Sequence, residues 1–151
     1  MKVFTSILLL RKTKMTPQEL IRYIVINNAL ADGHFEGQIE DIKTLTAEQV
    51  NEFYDELEEA GEEYDYLYEL RRSGATTNIP CDYSRHYESE SVAYPAPNGQ
   101  WVGWTYWYGG GKHGCPEEID WVAHAYHVDV VKEEPVTTIV RTFARVDNAN
   151  R

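Results

Sequence analysis

Apolar residues recur every three to four positions in two stretches of the N-terminal half, as they do on one face of a helix. The first stretch follows Thr16-Pro17-Gln18-Glu19, where Thr16 and Glu19 fit a capping box and Pro17 suits the first helical position. We expect this helix to end before the turn dipeptide Asp32-Gly33. A linker over 32–45, with a helical turn at 38–43, should follow it.

The second stretch follows Thr46-Ala47-Glu48-Gln49, another capping box. It predicts a helix or a helix pair from Ala47 to about Arg72, interrupted at Gly61 because glycine favours a kink or a break. A loop over Gly74 to Pro80 separates it from the C-terminal half.

In the C-terminal half, apolar residues recur at every second position, which is typical of strands. Four segments alternate in this way: 83–94, 101–108, 126–131 and 136–146. Asn98-Gly99 predicts a hairpin turn between the first two. Pro116 predicts one or two helical turns over 116–123.

These elements predict an α+β fold, with two or three N-terminal helices packed on an antiparallel sheet of about four strands. With 151 residues, the chain is long enough for one domain with a substantial core. We expect residues 15–151 to form this single domain, with a helical part over 15–73 and a β part over 79–147.

Residues 1–14 contain a short apolar run like that of a signal peptide, but Arg11-Lys12 stands where small residues and a cleavage site would be expected. We therefore interpret them as an N-terminal extension or strand of a cytosolic protein. No apolar stretch approaches the length of a membrane span.

The net charge of −11 disfavours general binding to nucleic acid or to anionic membranes, because a negative surface repels phosphate. Much of this charge lies on one side of the second helical stretch, and no lysine or arginine stands between Lys43 and Arg71. An exposed helix usually mixes charges of both signs, so this side is either a solvated face or a surface that meets a basic partner. The second interpretation places these residues in the contact: Glu48, Glu52, Asp55, Glu56, Glu59, Glu62 and Glu63.

The predicted strand over 101–108 contains three of the four tryptophans and leads into the glycine-rich loop 109–114. Aromatic side chains at this density can stack bases or sugars, although a two-sided core strand explains them as well. Glycines followed by a lysine can hold a phosphate, but the spacing is not that of a P-loop. A ligand pocket built here would use Trp104, Trp107, Lys112, His113 and Arg141.

Other candidate chemistry is weaker. Cys81, His86, His113 and Cys115 are ligands that zinc prefers, yet neither spacing is that of a usual zinc knuckle, so we predict no metal site. A histidine at 124 or 127 could pair with Glu117, Glu118 or Asp120 as an acid and base, but such pairs are common by chance. We find no nucleophile, dinucleotide or metalloprotease motif, and we predict neither an enzyme nor a cofactor.

The run from Gly99 to Gly114, continued by Ile119-Asp120-Trp121 and Ala125-Tyr126, resembles segments of small accessory proteins of tailed phages of enteric bacteria. The resemblance covers the C-terminal half and carries no assigned activity. It implies a small protein acting in the cytosol of a bacterial host. In that setting, acidic proteins that occupy the nucleic-acid-binding surface of a host protein are a recurring type.

The leading hypothesis is therefore a small acidic interaction protein that modulates or inhibits a host protein with a basic surface, as a partial nucleic-acid mimic in counter-defence. One alternative is a module that binds a small ligand or nucleotide through the aromatic strand and the glycine-rich loop. Another is a homo-oligomeric structural protein whose aromatic face is the subunit interface.

Overall fold

A computed structural model describes residues 14–147, and it contains three helices followed by a four-stranded antiparallel sheet. The predicted α+β class, with the helices in the N-terminal half, is confirmed. The expectation for the N-terminal extension falls almost wholly outside the described residues. Within 14–147, no helix is both long and apolar enough to cross a membrane.

Helix α1 spans Pro17–Ala31 and starts at the predicted capping box. The Thr16 side chain accepts a hydrogen bond from the Glu19 N–H, and Glu19 Oε1 accepts one from the Thr16 N–H at 2.9 Å. The backbone hydrogen bond from Thr16 lowers the pKa of the Glu19 carboxyl below its usual value. Asn51 on the next helix donates to Glu19 Oε2 at 2.9 Å, which ties the two helices together.

The second helical stretch forms two helices, α2 over Ala47–Glu59 and α3 over Glu63–Arg71. Gly61 lies between them with φ +71, a left-handed conformation that glycine adopts without a Cβ clash. The predicted interruption is therefore a full break. The short helical turn expected at 38–43 is a 3₁₀ turn at Ile42–Thr44.

The capping box at the start of α2 makes a specific stability prediction. The Thr46 hydroxyl accepts a hydrogen bond from the Gln49 N–H at 3.2 Å. Replacing Thr46 with alanine should lower the free energy of unfolding by about 1 kcal/mol, because that N–H loses its partner. Chemical denaturation measures the change. Thr46→Ser keeps a hydroxyl and should stay within a few tenths of a kcal/mol of wild type; equal losses in the two variants would contradict the capping role.

The sheet has the order β1-β2-β3-β4, with every neighbouring pair antiparallel. β1 spans Ala75–Thr76, β2 Glu88–Pro95, β3 Trp101–Tyr108 and β4 Tyr126–Val128. β2 and β3 pair along their whole length through the predicted hairpin, in which Gly99 has φ +89. This hairpin is the largest element of the sheet.

The core lies between α1 and one face of the sheet. Val92, Val102 and Trp104 point to this face and join the buried apolar residues of α1 and α2 in one cluster. Trp104 is completely buried, and its indole Nε1 donates a hydrogen bond to the Arg71 carbonyl oxygen at 2.9 Å. The central tryptophan of β3 thus fixes the end of α3 to the sheet.

The predicted last strand, over 136–146, is wrong. β4 pairs only with the first three residues of β3, and its end at Val128 lies opposite Trp101, where β3 begins. The chain beyond Val128 has therefore passed the end of its partner strand, and residues 129–146 run exposed without strand pairing. The fourth strand is instead β1, which lies in the segment predicted as a loop.

Three other boundaries differ from the prediction. β2 starts at Glu88 rather than 83, after a turn in which Ser84 Oγ accepts hydrogen bonds from the His86 and Tyr87 N–H groups. β4 ends at Val128 rather than 131. The helical turns expected over 116–123 reduce to one 3₁₀ turn at Pro116–Glu118.

Candidate interaction surface and sheet groove

Helix α2 is amphipathic, with Val50, Tyr54 and Leu57 buried against the rest of the core. The opposite side of the helix is exposed and carries only carboxylates among its charged groups. We name this surface the acidic face, and it consists of Glu48, Glu52, Asp55, Glu56 and Glu59. The helical period in the sequence is thus sufficient to place these five side chains together.

No lysine or arginine of the described chain neutralises the acidic face. Across residues 14–147, the ion pairs made by lysine and arginine are Arg72 with Glu69 at 2.9 Å and Lys132 with Glu134 at 3.4 Å. Both pairs lie outside α2. The five carboxylates are therefore available for cations from another molecule.

This face lowers the stability of the helix that carries it. Glu48 and Glu52, Glu52 and Glu56, and Asp55 and Glu59 are spaced four residues apart, so like charges stand next to each other. α2 also ends on Glu58 and Glu59 with no basic residue in its last turn, where the helix dipole favours cations. Selection for stability alone does not account for this arrangement.

Replacing Glu59 with lysine should therefore stabilise the protein, by roughly 0.5–1 kcal/mol at low salt. The lysine would remove the repulsion from Asp55, form an ion pair with it, and complement the dipole at the helix end. Thermal and chemical denaturation at low and high salt measure the effect. Glu36→Lys, an exposed change outside any regular helix, is the control and should leave stability nearly unchanged. Destabilisation by Glu59→Lys would contradict this description of α2.

The remaining two predicted contact residues, Glu62 and Glu63, have partly different surroundings. Glu62 Oε2 lies 3.0 Å from His34 Nε2, an ion pair when the histidine is protonated. Glu63 is half-buried, and no described residue donates a hydrogen bond to its buried Oε2. Glu62 therefore extends the acidic face at its edge, whereas Glu63 contributes less charge to the surface.

Next to Glu62, Tyr66 connects α3 to the turn after α1. Its hydroxyl donates a hydrogen bond to Asp32 Oδ2 at 2.8 Å, and its ring meets the His34 ring edge to face at 5.9 Å. Burial, followed by this hydrogen bond, raises the pKa of Tyr66 to about 12. The phenol therefore stays protonated at neutral pH and holds the two segments together.

A groove lies at the face of the sheet that the helices leave uncovered. Ser91 and Thr105, which are partners across β2 and β3, line it together with Trp107. Residues 79–82 form one wall, held down by hydrogen bonds from Ser89 Oγ to the Asp82 carbonyl oxygen and from Ser91 Oγ to the Pro80 carbonyl oxygen. Residues 119–126 form the other wall, and the open groove between them has a volume of about 620 Å³.

The groove combines aromatic rings with carboxylates. Trp107 and Tyr126 supply the rings, and Asp82 and Asp120 supply the negative charge. Among the described residues that line the groove, His124 is the one able to carry positive charge, and none is a lysine or an arginine. Such a site repels phosphate and favours neutral or cationic groups.

The residues predicted to form a ligand pocket do not meet in one place. Trp104 and Trp107 point to opposite faces of β3, and Trp104 is completely buried. Lys112 and His113 lie in the exposed loop after β3, and Arg141 lies in the exposed C-terminal segment. Of the five residues, Trp107 alone lines the groove.

The glycine-rich loop has a conformational explanation. Gly109, Gly110 and Gly111 all have positive φ, between +65 and +86. A Cβ on Gly110 would lie 2.6 Å from the Tyr87 ring, so the loop packs closely on that ring. These glycines meet the demands of the backbone, and a bound phosphate is not needed to explain them.

The four zinc-preferring residues are separated as well. Within 14–147, no three histidine, cysteine or acidic side chains are arranged to hold a metal ion. Cys81 lies by the groove, where its Sγ is 3.3 Å from Ser89 Oγ, whereas the Cys115 backbone N–H bonds the Tyr87 hydroxyl. Both cysteines are free and exposed.

The walls of the groove could not be derived from the sequence. Alternation along β3 predicts that Thr105 and Trp107 share a face, but Ser91 joins them only through the long pairing with β2. Asp82 and Tyr126 arrive through loops whose course depends on tertiary contacts.

Comparisons with protein-family models, with curated proteins and with solved structures find no match for this chain.

Proposed function

We propose that this protein acts by binding another protein that presents a basic surface, and that the acidic face of α2 makes the contact. The observation that carries the proposal is that the five exposed carboxylates have no lysine or arginine partner across residues 14–147. Carboxylates that the chain does not neutralise attract and orient a cationic partner.

The energetics of α2 support this proposal. Neighbouring carboxylates and acidic residues at the C-terminal end of the helix cost stability, and a cationic partner would reverse that cost on binding. Surfaces that lower the stability of a protein and have no role in holding its fold are typical of functional sites. The buried side of α2, with Val50, Tyr54 and Leu57, holds the face in place.

The chemistry of the face also defines the class of partner. A row of carboxylates along a rigid helix offers charges of the same sign as a nucleic-acid backbone. A protein that binds nucleic acid carries the complementary lysines and arginines. We therefore propose, as the narrower form of this function, that the protein blocks the nucleic-acid-binding surface of a bacterial host protein during phage counter-defence.

Reversal of the charge on the acidic face tests the proposal. The variant Glu52→Lys, Asp55→Lys, Glu56→Lys and Glu59→Lys should keep the fold, because all four side chains are exposed. It should lose the proteins that the wild type captures from bacterial extract. The matched control reverses four exposed carboxylates away from α2: Glu36, Glu40, Glu117 and Glu118.

The control should capture the same proteins as the wild type, although its net charge equals that of the test variant. Loss of capture in both variants would show that total charge matters and the face does not. Unchanged capture by the test variant would remove the acidic face from the contact. Circular dichroism of all three proteins confirms that each is folded.

The groove supports a second candidate function, the binding of a small molecule. Its volume of about 620 Å³ falls within the range of ligand sites, and Trp107 and Tyr126 provide apolar surface. Since carboxylates line it without lysine or arginine, we expect a neutral or cationic ligand such as a sugar or an organic amine, rather than a nucleotide. A thermal-shift screen containing all three classes tests this candidate. Stabilisation by nucleotides alone would contradict it.

A further inference from the structure

The C-terminal segment is a second unusual surface, unrelated to the acidic face. Residues 129–147 lack regular structure and are exposed throughout. Among the described residues, seven of the ten exposed large apolar side chains lie in this segment. They are Val130, Val131, Val136, Ile139, Val140, Phe143 and Val146, with 50–93% of their surface accessible. Apolar exposure on this scale marks a contact surface.

The segment also has the composition of a strand. Valine, isoleucine and threonine dominate residues 136–146, and these side chains fit a pleated surface. Pairing fails within the chain because β4 already reaches the end of β3 at the Val128–Trp101 pair. Residues 129–146 thus continue an edge strand past its own sheet, and their unpaired backbone groups can bind another strand.

We propose that this segment, which we name the C-terminal arm (residues 129–146), pairs antiparallel with the arm of a second copy of the chain. In the proposed register, the two copies of Thr137 face each other on a two-fold axis. Each residue before Thr137 then faces the residue that lies the same number of positions after Thr137 in the other copy. The arms then form a two-stranded ribbon. The end of each arm reaches the outer edge of β4 in the other copy, where Val146 stands opposite Val128.

The sequence of the arm is complementary to itself in this register. Asp129 stands opposite Arg145, and Glu133 stands opposite Arg141. Val131 faces Phe143, which places a large apolar pair between the two ion pairs. No like charges within the arm face each other. Because of the two-fold axis, each of these pairs occurs twice in the dimer. Opposite charges and apolar side chains across antiparallel strands stabilise the pairing.

The match depends on this register. A shift of two residues in either direction leaves Asp129 and Glu133 without an arginine opposite them. The four charged side chains of the proposed pairs, Asp129, Glu133, Arg141 and Arg145, are exposed, and none of the four forms an ion pair within the described chain. The charges of the arm thus select one alignment, as cross-strand pairs do in known sheets.

The same pairs could form within one arm only if the chain turned back at Val136-Thr137-Thr138. Tight hairpin turns need residues that adopt positive φ, above all glycine or asparagine, and threonine and valine are unsuited to them. Pro135 and the β-branched residues after it favour an extended chain. Pairing between two copies avoids this turn.

Light scattering combined with size-exclusion chromatography tests the proposal on the full chain. We expect a concentration-dependent dimer. A chain that ends at Asp129 should be monomeric and should unfold at the same temperature as the full chain when both are dilute, because the arm adds nothing to the core.

Charge reversal tests the register. Arg141→Glu places two carboxylates opposite each other at both symmetry-related positions and should weaken dimerisation about tenfold. Glu133→Arg should have a similar effect, and the double variant Glu133→Arg with Arg141→Glu should restore wild-type dimerisation. Arg85→Glu, an exposed change of the same charge outside the arm, is the control and should leave dimerisation unchanged.

A full chain that remains monomeric up to roughly 1 mM would overturn the proposal. So would dimerisation of the chain that ends at Asp129, or assemblies larger than a dimer. Failure of the double variant to recover would overturn the register. These results are independent of the acidic face, because neither Arg141 nor Glu133 belongs to it.

Discussion

Replacing Trp104 with alanine is expected to lower the free energy of unfolding by about 3–5 kcal/mol. The indole is completely buried between α1 and the sheet, and it packs against Trp121 with ring centres 5.0 Å apart. The substitution leaves a large cavity and removes the donor to the Arg71 carbonyl oxygen. A loss of this size is a large fraction of the stability of a typical domain. Urea denaturation measures it.

Trp107→Ala is the matched control for this prediction. Trp107 is on the same strand, but it is half-buried and faces the groove instead of the core. We expect it to cost less than half as much as Trp104→Ala, because solvent already reaches part of the ring. Similar losses in the two variants would contradict the assignment of the core to one face of β3.

Replacing Gly103 with alanine is expected to destabilise the protein by about 2–3 kcal/mol, because the site has no room for a side chain. A Cβ on Gly103 would lie 2.6 Å from Val128 Cγ2 and 2.7 Å from Tyr126 Cε2. β4 would have to move away from β3 to admit it. Denaturation measures the loss, and hydrogen exchange shows whether the β4 amides lose protection first.

Thr105→Ala is the control for Gly103→Ala, since Thr105 lies two residues along on the same face of β3 and has space around it at the groove. It should cost less than about 1 kcal/mol. An alanine at 103 that leaves stability and β4 protection unchanged would show that β4 does not pack across β3 as described.

Local signals in the sequence were sufficient for most of the helical half. Thr16 and Thr46 mark helix starts through hydrogen bonds to residues three positions on, so both caps follow from sequence alone. Gly61 breaks the second helical stretch for an equally local reason, its positive φ. The hairpin between β2 and β3 follows from Asn98-Gly99 and the alternation on either side.

The limits of strands were harder to predict, because they depend on partners far along the chain. The composition of 136–146 favours a strand as strongly as that of β3 does, yet the chain has already passed Trp101, the first residue of β3, when β4 ends at Val128. β1 has only two residues and is recognisable only through its pairing with Ala93 and Val92. The strand propensity of a segment determines whether it is able to pair. The topology of the sheet determines whether a partner strand lies beside it.

The acidic face and the groove differ, for the same reason, in how far they could be predicted from the sequence. The acidic face repeats with the period of a single helix, so its five residues could be predicted from the sequence, although the predicted set also contained Glu62 and Glu63, which lie beyond the end of α2. The groove joins Ser91, Thr105 and Asp120 from three separated segments, and only the sheet register and the loop paths bring them together. Trp104 and Trp107 of the predicted ligand set are separated because successive residues of a strand point to opposite faces and these two are three positions apart.

The salt dependence of partner binding shows whether the carboxylates of the acidic face make the contact. The dissociation constant of the wild-type chain and a captured partner should rise at least tenfold between about 50 and 500 mM salt, because exposed charges across an interface are screened. Neutralising Glu52, Asp55, Glu56 and Glu59 to glutamine should weaken binding and flatten this dependence. A dissociation constant that is unaffected by salt and by these four substitutions would contradict the account.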